Sequence, residues 1–261
     1  MAFTDTIGNR MKKYYEDVFK NCLVRRIPVA IRIDGKAFHT FTRGFEKPFD
    51  RGLMDSMQET MKYLCENIQG CVFGYTQSDE ITLILIDYEK LTTSAWFDYE
   101  IQKMCSISAS MATMAFNRIF AEKVKNCDNS EMYEKALKIG AMFDARVFNI
   151  PKEEVCNLIF WRQIDASRNS VSMAGRVYFK HKELQNKSTE MIQEMLYTKY
   201  NINWNDYPTD AKRGAACFKD TFIDQETGVE RNRWVIDREM PLLKNVDDEN
   251  NRDYVERFIF L

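Results

Sequence analysis

The chain has 261 residues, 45% of them apolar and 29% charged, with ten glycines, five prolines and no low-complexity run, which excludes a fibrous or disordered protein and allows one generous core. A formal charge of −2 argues against a domain that holds nucleic acid by bulk charge alone. No stretch approaches the ~20 apolar residues of a bilayer span, and the charged segment "MAFTDTIGNRMKKYYEDVF" lacks a signal core, so a cytoplasmic protein with no membrane partner is expected.

In chain order, residues 5–20 predict a helix and "IPVAIRID" a strand entered through Pro28. "RGLMDSMQETMKYLCENI" places Met54, Met57, Met61 and Leu64 at helical spacing, with Asp50 as N-cap. "CVFGYTQSDEITLILI" reads as two strands joined by a tight polar turn. A long segment from Thr92 to Phe120 follows, whose "MCSISASMATMAF" suits a closely packed helix. "FDARVFNI" is a further strand ended by Pro151, and "KEEVCNLIFWRQIDASRN" is helical. Strand, helix, strand, strand, helix, strand is the split βαββαβ order of ferredoxin-like folds. The expected class is α+β, an antiparallel sheet with helices on one face. Residues 1–176 would form this core. Residues 177–261 would form an elaboration packed on it, with Leu184, Met191, Met195 and Leu196 on one helical face and a hairpin around Glu226 to Gly228. Seven scattered cysteines (Cys22, Cys65, Cys71, Cys105, Cys127, Cys156, Cys217) without a C-x-x-C pair read as buried reduced thiols.

In a βαββαβ core the first strand neighbours the central hairpin, so Asp34 at the end of the one meets Asp79 and Glu80 in the turn of the other. Carboxylates held close repel and raise each other's pKa unless a cation neutralises them. Hard oxygen donors favour Mg²⁺, which leaves positions open for water and phosphate, and a pair of such ions serves in-line nucleotidyl transfer. Gly35 permits a sharp turn that can aim its carbonyl at a metal and the N–H groups of Lys36, Ala37, Phe38 and His39 at a phosphate. Lys36 can add a cation. His39 either donates to phosphate or packs against Phe38 and Phe41; Ser78 either holds a triphosphate or caps the turn. Basic residues cluster around the first motif (Arg25, Arg26, Arg32, Lys36, Arg43, Lys47, Arg51) and again at Lys212, Arg213, Arg231 and Arg233, as a phosphate track or a solvated face. A nucleotide cyclase, a non-catalytic RNA-binding module and a metal-dependent phosphohydrolase are the competing readings.

"RIDGKAFHTFTRGFEKPFD", "GYTQSDEITLIL" and "FDARVFNIP" with "WRQID" after it resemble, in this order and spacing, the tRNA-histidine guanylyltransferase superfamily, which extends nucleic acids in the 3′-to-5′ direction. The resemblance spans Arg32 to Asp165, with a fainter echo from Lys199 to Phe218. It implies a polymerase-like palm, two Mg²⁺ ions, nucleotide addition to the 5′ end of a tRNA, ATP, GTP and other nucleoside triphosphates as partners, and a homotetramer. By position, Asp34, Asp79 and the Gly35 carbonyl would ligate metal and Glu80 would support the site. Residues Lys36 through His39 and Ser78 would hold the triphosphate, with Lys103 as a further phosphate contact. After "WRQ", eukaryotic members carry His-Ile-Asn-Asn; here Ser167, Arg168, Asn169 and Ser170 stand in that place. The departure resembles the guanylyltransferase-like proteins of bacteria and archaea, which repair truncated 5′ ends by copying the opposite strand. Arg168 and Arg176 are candidates for backbone phosphate contacts.

Overall fold

The computed structural model describes residues 5–125, 130–223, 228–243 and 249–261. The first helical stretch is α-helix only over α1 (Thr6–Met11), then relaxes into a π turn at Lys12–Glu16 and a 3₁₀ turn at Asp17–Phe19. Next come β1 (Val29–Gly35), the single turn α2 (Phe38–Phe41), α3 (Arg51–Asn67), β2 (Cys71–Gln77) and β3 (Glu80–Leu85). The chain continues with α4 (Ile101–Val124), α5 (Glu134–Ile139), β4 (Phe143–Asn149), α6 (Lys152–Tyr178), α7 (His181–Leu184), α8 (Thr189–Tyr200) and α9 (Thr209–Arg213). It closes with β5 (Ala215–Ile223), β6 (Glu230–Asp237) and α10 (Glu249–Glu256). Asp50 caps α3 as expected, its carboxylate accepting from Leu53 N at 2.8 Å. The stretch "MCSISASMATMAF", expected to be helical within the long segment from Thr92, lies inside α4, which begins at Ile101 after a 3₁₀ turn at Trp96–Tyr99.

The strands lie in the order β4-β1-β3-β2-β5-β6, every neighbour antiparallel. The first four are the ferredoxin-like arrangement of a palm. Alternation along β1 sends Val29, Ile31 and Ile33 to one face, where they join Met57, Met61 and Leu64 of α3 and Ala112, Phe116 and Phe120 of α4. The two crossover helices thus share a face. The reverse face is covered too, which the one-sided expectation missed. Ala30, Phe73, Tyr75 and Ile84 pack there with Val155 and Ile159 of α6 and with Met240, Val255 and Ile259 near the C-terminus.

The hairpin β5–β6 extends the same sheet, pairing Phe73 with Phe218 and Thr76 with Ala215, and residue 176 falls in the last turn of α6. A third cluster joins Val171 and Ala174 of α6 to Ile192 and Leu196 of α8. Met191 is not part of that face: it is 48% exposed and Ile192 fills the position inward. Among the cysteines, Cys65, Cys71, Cys156 and Cys217 are buried, Cys105 is partly covered and Cys22 is exposed. Cys127 and the hairpin-tip residue Glu226 lie outside the described residues. No helix among the described residues is long and apolar enough to cross a membrane.

Candidate active site

The register of β1 sets Asp34 opposite Glu80 on β3 and opposite Asp144 on β4. Gln77 and Glu80 face each other across a two-residue turn in which Ser78 is left-handed, with φ of 51°. The Gly35 N–H donates to the Asp79 carbonyl at 3.0 Å, so the end of β1 and the turn are pinned together and bring Asp34 and Asp79 to one edge. Gly35 also has to lack a side chain, since a Cβ there would lie 2.8 Å from Phe38 Cγ.

Burial lifts the Asp79 carboxyl above its ordinary range. The Ser78 hydroxyl, donating to Asp79 Oδ1 at 3.0 Å, opposes the rise, while the charges of Asp34 and Glu80 add to it. Among the described residues neither Asp34 nor Asp79 has a basic partner, and no group of three His, Cys, Asp or Glu side chains there could hold a metal. Two unneutralised carboxylates beside a backbone turn fit magnesium, which takes one or two carboxylates and fills its other positions from water and phosphate.

A cleft of about 500 Å³ opens beside this edge. Gly35, Ala37, Phe38, His39, Ser78 and Asp79 line it. Ala37 is left-handed, with φ of 55°, and turns the chain into α2; the first amides of that helix, at Phe38 and His39, have no intrahelical acceptor. His39 is exposed and lines the cleft, whereas Phe38 is 5% exposed and packs at tilted and edge-on angles against Phe41, Phe116 and Phe143. Lys36 does not line the cleft, and its N–H is engaged by the Met142 carbonyl at 2.8 Å, so that amide is not free for a phosphate.

Two further candidates are placed elsewhere. Lys103 sits in the first turn of α4 with its ammonium 4.8 Å from the Phe97 ring. That end of α4 is tied to the segment before β1 by the Ile101 N–H bond to Asn21 O. It is Thr113 and Asn117 that reach Phe143 and Ala141 near the cleft, roughly 15–20 Å along the helix from Lys103 at 1.5 Å per residue. Glu80 does not line the cleft either. It is 4% exposed and both of its oxygens are bound by Arg162, at 2.6 and 2.8 Å.

Lys47 and Arg176, both read from the sequence as possible phosphate contacts, also line the cleft, together with Asp50, expected only as a helix cap, and Met173, which no motif marked. Asp50 holds the near wall together, accepting from Glu46 N at 3.1 Å and from the Tyr133 hydroxyl at 2.9 Å. Arg176 reaches this cleft from α6, whereas Arg168 lines a separate pocket with Arg213 and Trp204.

A sequence profile of the tRNAHis guanylyltransferase family matches residues 8–151, which is more than half of the chain and carries both carboxylates and the turn between them. The chain belongs to the tRNAHis guanylyltransferase family. It is a nucleotidyltransferase by that membership. A solved bacterial tRNA(His) guanylyltransferase-like protein in complex with ATP is 42% identical, with a TM-score of 0.83 over 98% of this chain and 100% of that one. A second such structure, in complex with GTP, is 40% identical with a TM-score of 0.78 over the same shares. A probable tRNA(His) guanylyltransferase of Dictyostelium discoideum is 26% identical over 226 residues, 81% of this chain and 83% of its relative. Two solved relatives of this fold are thus complexes with purine nucleoside triphosphates.

Proposed function

We propose that the protein extends the 5′ end of tRNA in the 3′-to-5′ direction by copying the opposite strand, using ATP to activate a 5′-monophosphate end. The observation that carries this reading is Asp79 in the wall of a cleft wide enough for a nucleotide, with Asp34 held beside it by the pinned turn and neither carrying a basic partner among the described residues. Support comes from the ATP and GTP complexes of its bacterial relatives and from the residues Ser167 to Ser170 in place of the segment that marks histidine-specific members.

Asp34 and Asp79 would hold two Mg²⁺ ions together with the Gly35 carbonyl. Ions so held supply Lewis-acid stabilisation of phosphoryl charge and an easier deprotonation of an attacking hydroxyl. The amides of Phe38 and His39 and the His39 ring lie at the cleft and bind triphosphate oxygens, while Ser78, whose hydroxyl donates to Asp79 Oδ1, steadies that carboxylate at the cleft wall. Arg176 approaches from α6 and neutralises charge on the RNA end. In the first stage an oxygen of the RNA 5′-monophosphate attacks the α-phosphorus of ATP and pyrophosphate leaves. In the second, the 3′-hydroxyl of the incoming nucleotide attacks the activated 5′ phosphorus and AMP leaves. Both stages concentrate negative charge on one phosphorus centre, so electrostatic placement outweighs acid–base catalysis. Assembly as a homotetramer belongs to the same reading, supported by the exposed Ile7, Tyr15, Val18 and Phe19 of the N-terminal segment.

The test is incorporation of labelled nucleotides into a tRNA lacking its first residue, with Mg²⁺ and ATP, while the opposing base is varied. Addition that follows the opposing base is the expected result. Guanosine added only to histidine tRNA, or a cyclic nucleotide formed without RNA, would overturn the templated reading.

A further inference from the structure

We propose that Arg162, with Arg32 beside it, is a positioning residue that keeps Glu80 out of the cation site and leaves Asp34 and Asp79 as its two carboxylates. The inference rests on the metal-dependent reading above. Four acidic side chains gather at this edge of the sheet: Asp34 and Glu80 are cross-strand partners, Asp79 immediately precedes Glu80, and Asp144, opposite Asp34 on β4, is already paired with Arg146 at 3.4 Å, which leaves three to be divided. By strand alternation Arg32, Asp34 and Glu80 share one face, and α6 crosses that face.

Arg162 grips Glu80 as a fork, with Nε 2.6 Å from Oε1 and Nη2 2.8 Å from Oε2. Arg32 Nη2 adds a contact of 3.1 Å to Oε2. The remaining Arg162 nitrogen donates to Asp165 Oδ2 at 2.8 Å. Trp161 backs both guanidinium groups, 4.4 Å from that of Arg162 and 5.5 Å from that of Arg32. Two cations and two anions, Glu80 and Asp165, make this assembly neutral. Among the described residues Asp34 and Asp79, one residue or one strand away, have no such partner.

A bidentate guanidinium fixes a carboxylate in plane and occupies its lone pairs. Glu80 and Arg162 are each 4% exposed, so solvent does not compete for either. Left alone, Glu80 would be a third anionic oxygen donor beside the pair and would draw an incoming cation inward, away from the cleft. The fork divides three carboxylates into two that bind and one that does not. The arginine that does so stands on α6, the helix that also sends Met173 and Arg176 to the cleft.

Mn²⁺ binding to the full chain, without nucleotide and read by the electron paramagnetic resonance of free Mn²⁺, tests the division directly. Arg162→Met frees Glu80 and is expected to tighten Mn²⁺ binding by about tenfold, while the double variant Glu80→Gln/Arg162→Met returns to within about threefold of wild type, set against the 10–100-fold typical of groups around a metal. A folded Arg162→Met chain with wild-type affinity overturns the proposal, as does a loss of about tenfold or more in the double variant, which would make Glu80 itself a ligand. If Arg162→Met does not fold, the double variant decides, because replacing both members of a buried ion pair is tolerated where removing one is not. A wild-type chain that binds no Mn²⁺ at millimolar concentration overturns the metal reading and this role with it. Loss confined to the double variant overturns the role of Arg162 alone. Melting temperatures taken in parallel separate a purely structural role, which would move Tm and leave Mn²⁺ affinity unchanged.

Discussion

Gly35→Ala probes the junction between fold and chemistry with one methyl group. The position ends β1, its N–H holds the Asp79 carbonyl, and its missing side chain is where the Phe38 ring lies. A Cβ would fall 2.8 Å from Phe38 Cγ and closer still to Cδ2. The ring cannot retreat freely: it is 5% exposed, with centroid distances of 5.1 Å to Phe41, 5.7 Å to Phe116 and 5.2 Å to Phe143. Overpacking of this kind costs about 1–3 kcal/mol, and at about 2–4 °C per kcal/mol for a chain of this size Tm should fall by roughly 2–12 °C. Moving Phe38 also moves the head of α2, which lines the cleft, and a misplacement near 1 Å there should lower nucleotide addition by about 100-fold. Thermal melts and the incorporation assay read both effects. Phe38→Leu in the same chain makes room for the methyl and should recover part of the lost Tm. A Gly35→Ala chain with Tm within about 1 °C of wild type and full activity would refute the packing argument.

The raised pKa of Asp79 carries a stability consequence. Because the folded chain disfavours the ionised form, Asp79 costs stability wherever it is ionised in the native state. In EDTA, Asp79→Asn should therefore melt above wild type at neutral pH, and the gain should shrink as pH falls through the folded pKa toward the ordinary value of 3.8. A pH-independent difference between the two melting curves would contradict the burial argument. Arg176→Ala and Lys103→Ala form a contrasting pair for steady-state kinetics. Arg176 faces the cleft, so its loss should raise KM for the RNA or nucleotide by about tenfold, as for one charge-assisted hydrogen bond. Lys103 lies at the far end of α4, and its removal should change KM by less than about twofold.

How much was legible follows the range of the interactions. The alternation of β1, the capping of α3 by Asp50 and the tight turn at Ser78 and Asp79 are local, and the sequence shows them directly. The meeting of Asp34 with the hairpin turn was legible because the βαββαβ order fixes which strands are neighbours. The partner of Glu80 was not: Arg162 stands 82 positions away on a helix that the sequence marks only as helical. A helix start in the sequence says nothing about which end of the sheet that start adjoins, so the placing of Lys103 beside Phe97, at the end of α4 tied to Asn21, had no local signal. The pairing of β5 with β2 links Phe73 to Phe218 and has no local signature at either strand, so the widened sheet and the second covered face went unseen. Met191 fits the helical period as well as Ile192 does, and only the position of α6 selects between them.

The reverse face of the sheet sets a limit on dissection. Residues 8–151 carry the family match and both aspartates, yet the cluster behind Phe73 and Tyr75 is completed by Val155, Ile159, Ala216, Met240, Val255 and Ile259. A chain shortened to the matched portion would leave those aromatic rings in water and strip β2 of its outer neighbour, inviting strand-to-strand aggregation. The segment that the family profile matches and the cooperative unit of this protein therefore have different borders, and its chemistry cannot be excised as a minimal enzyme.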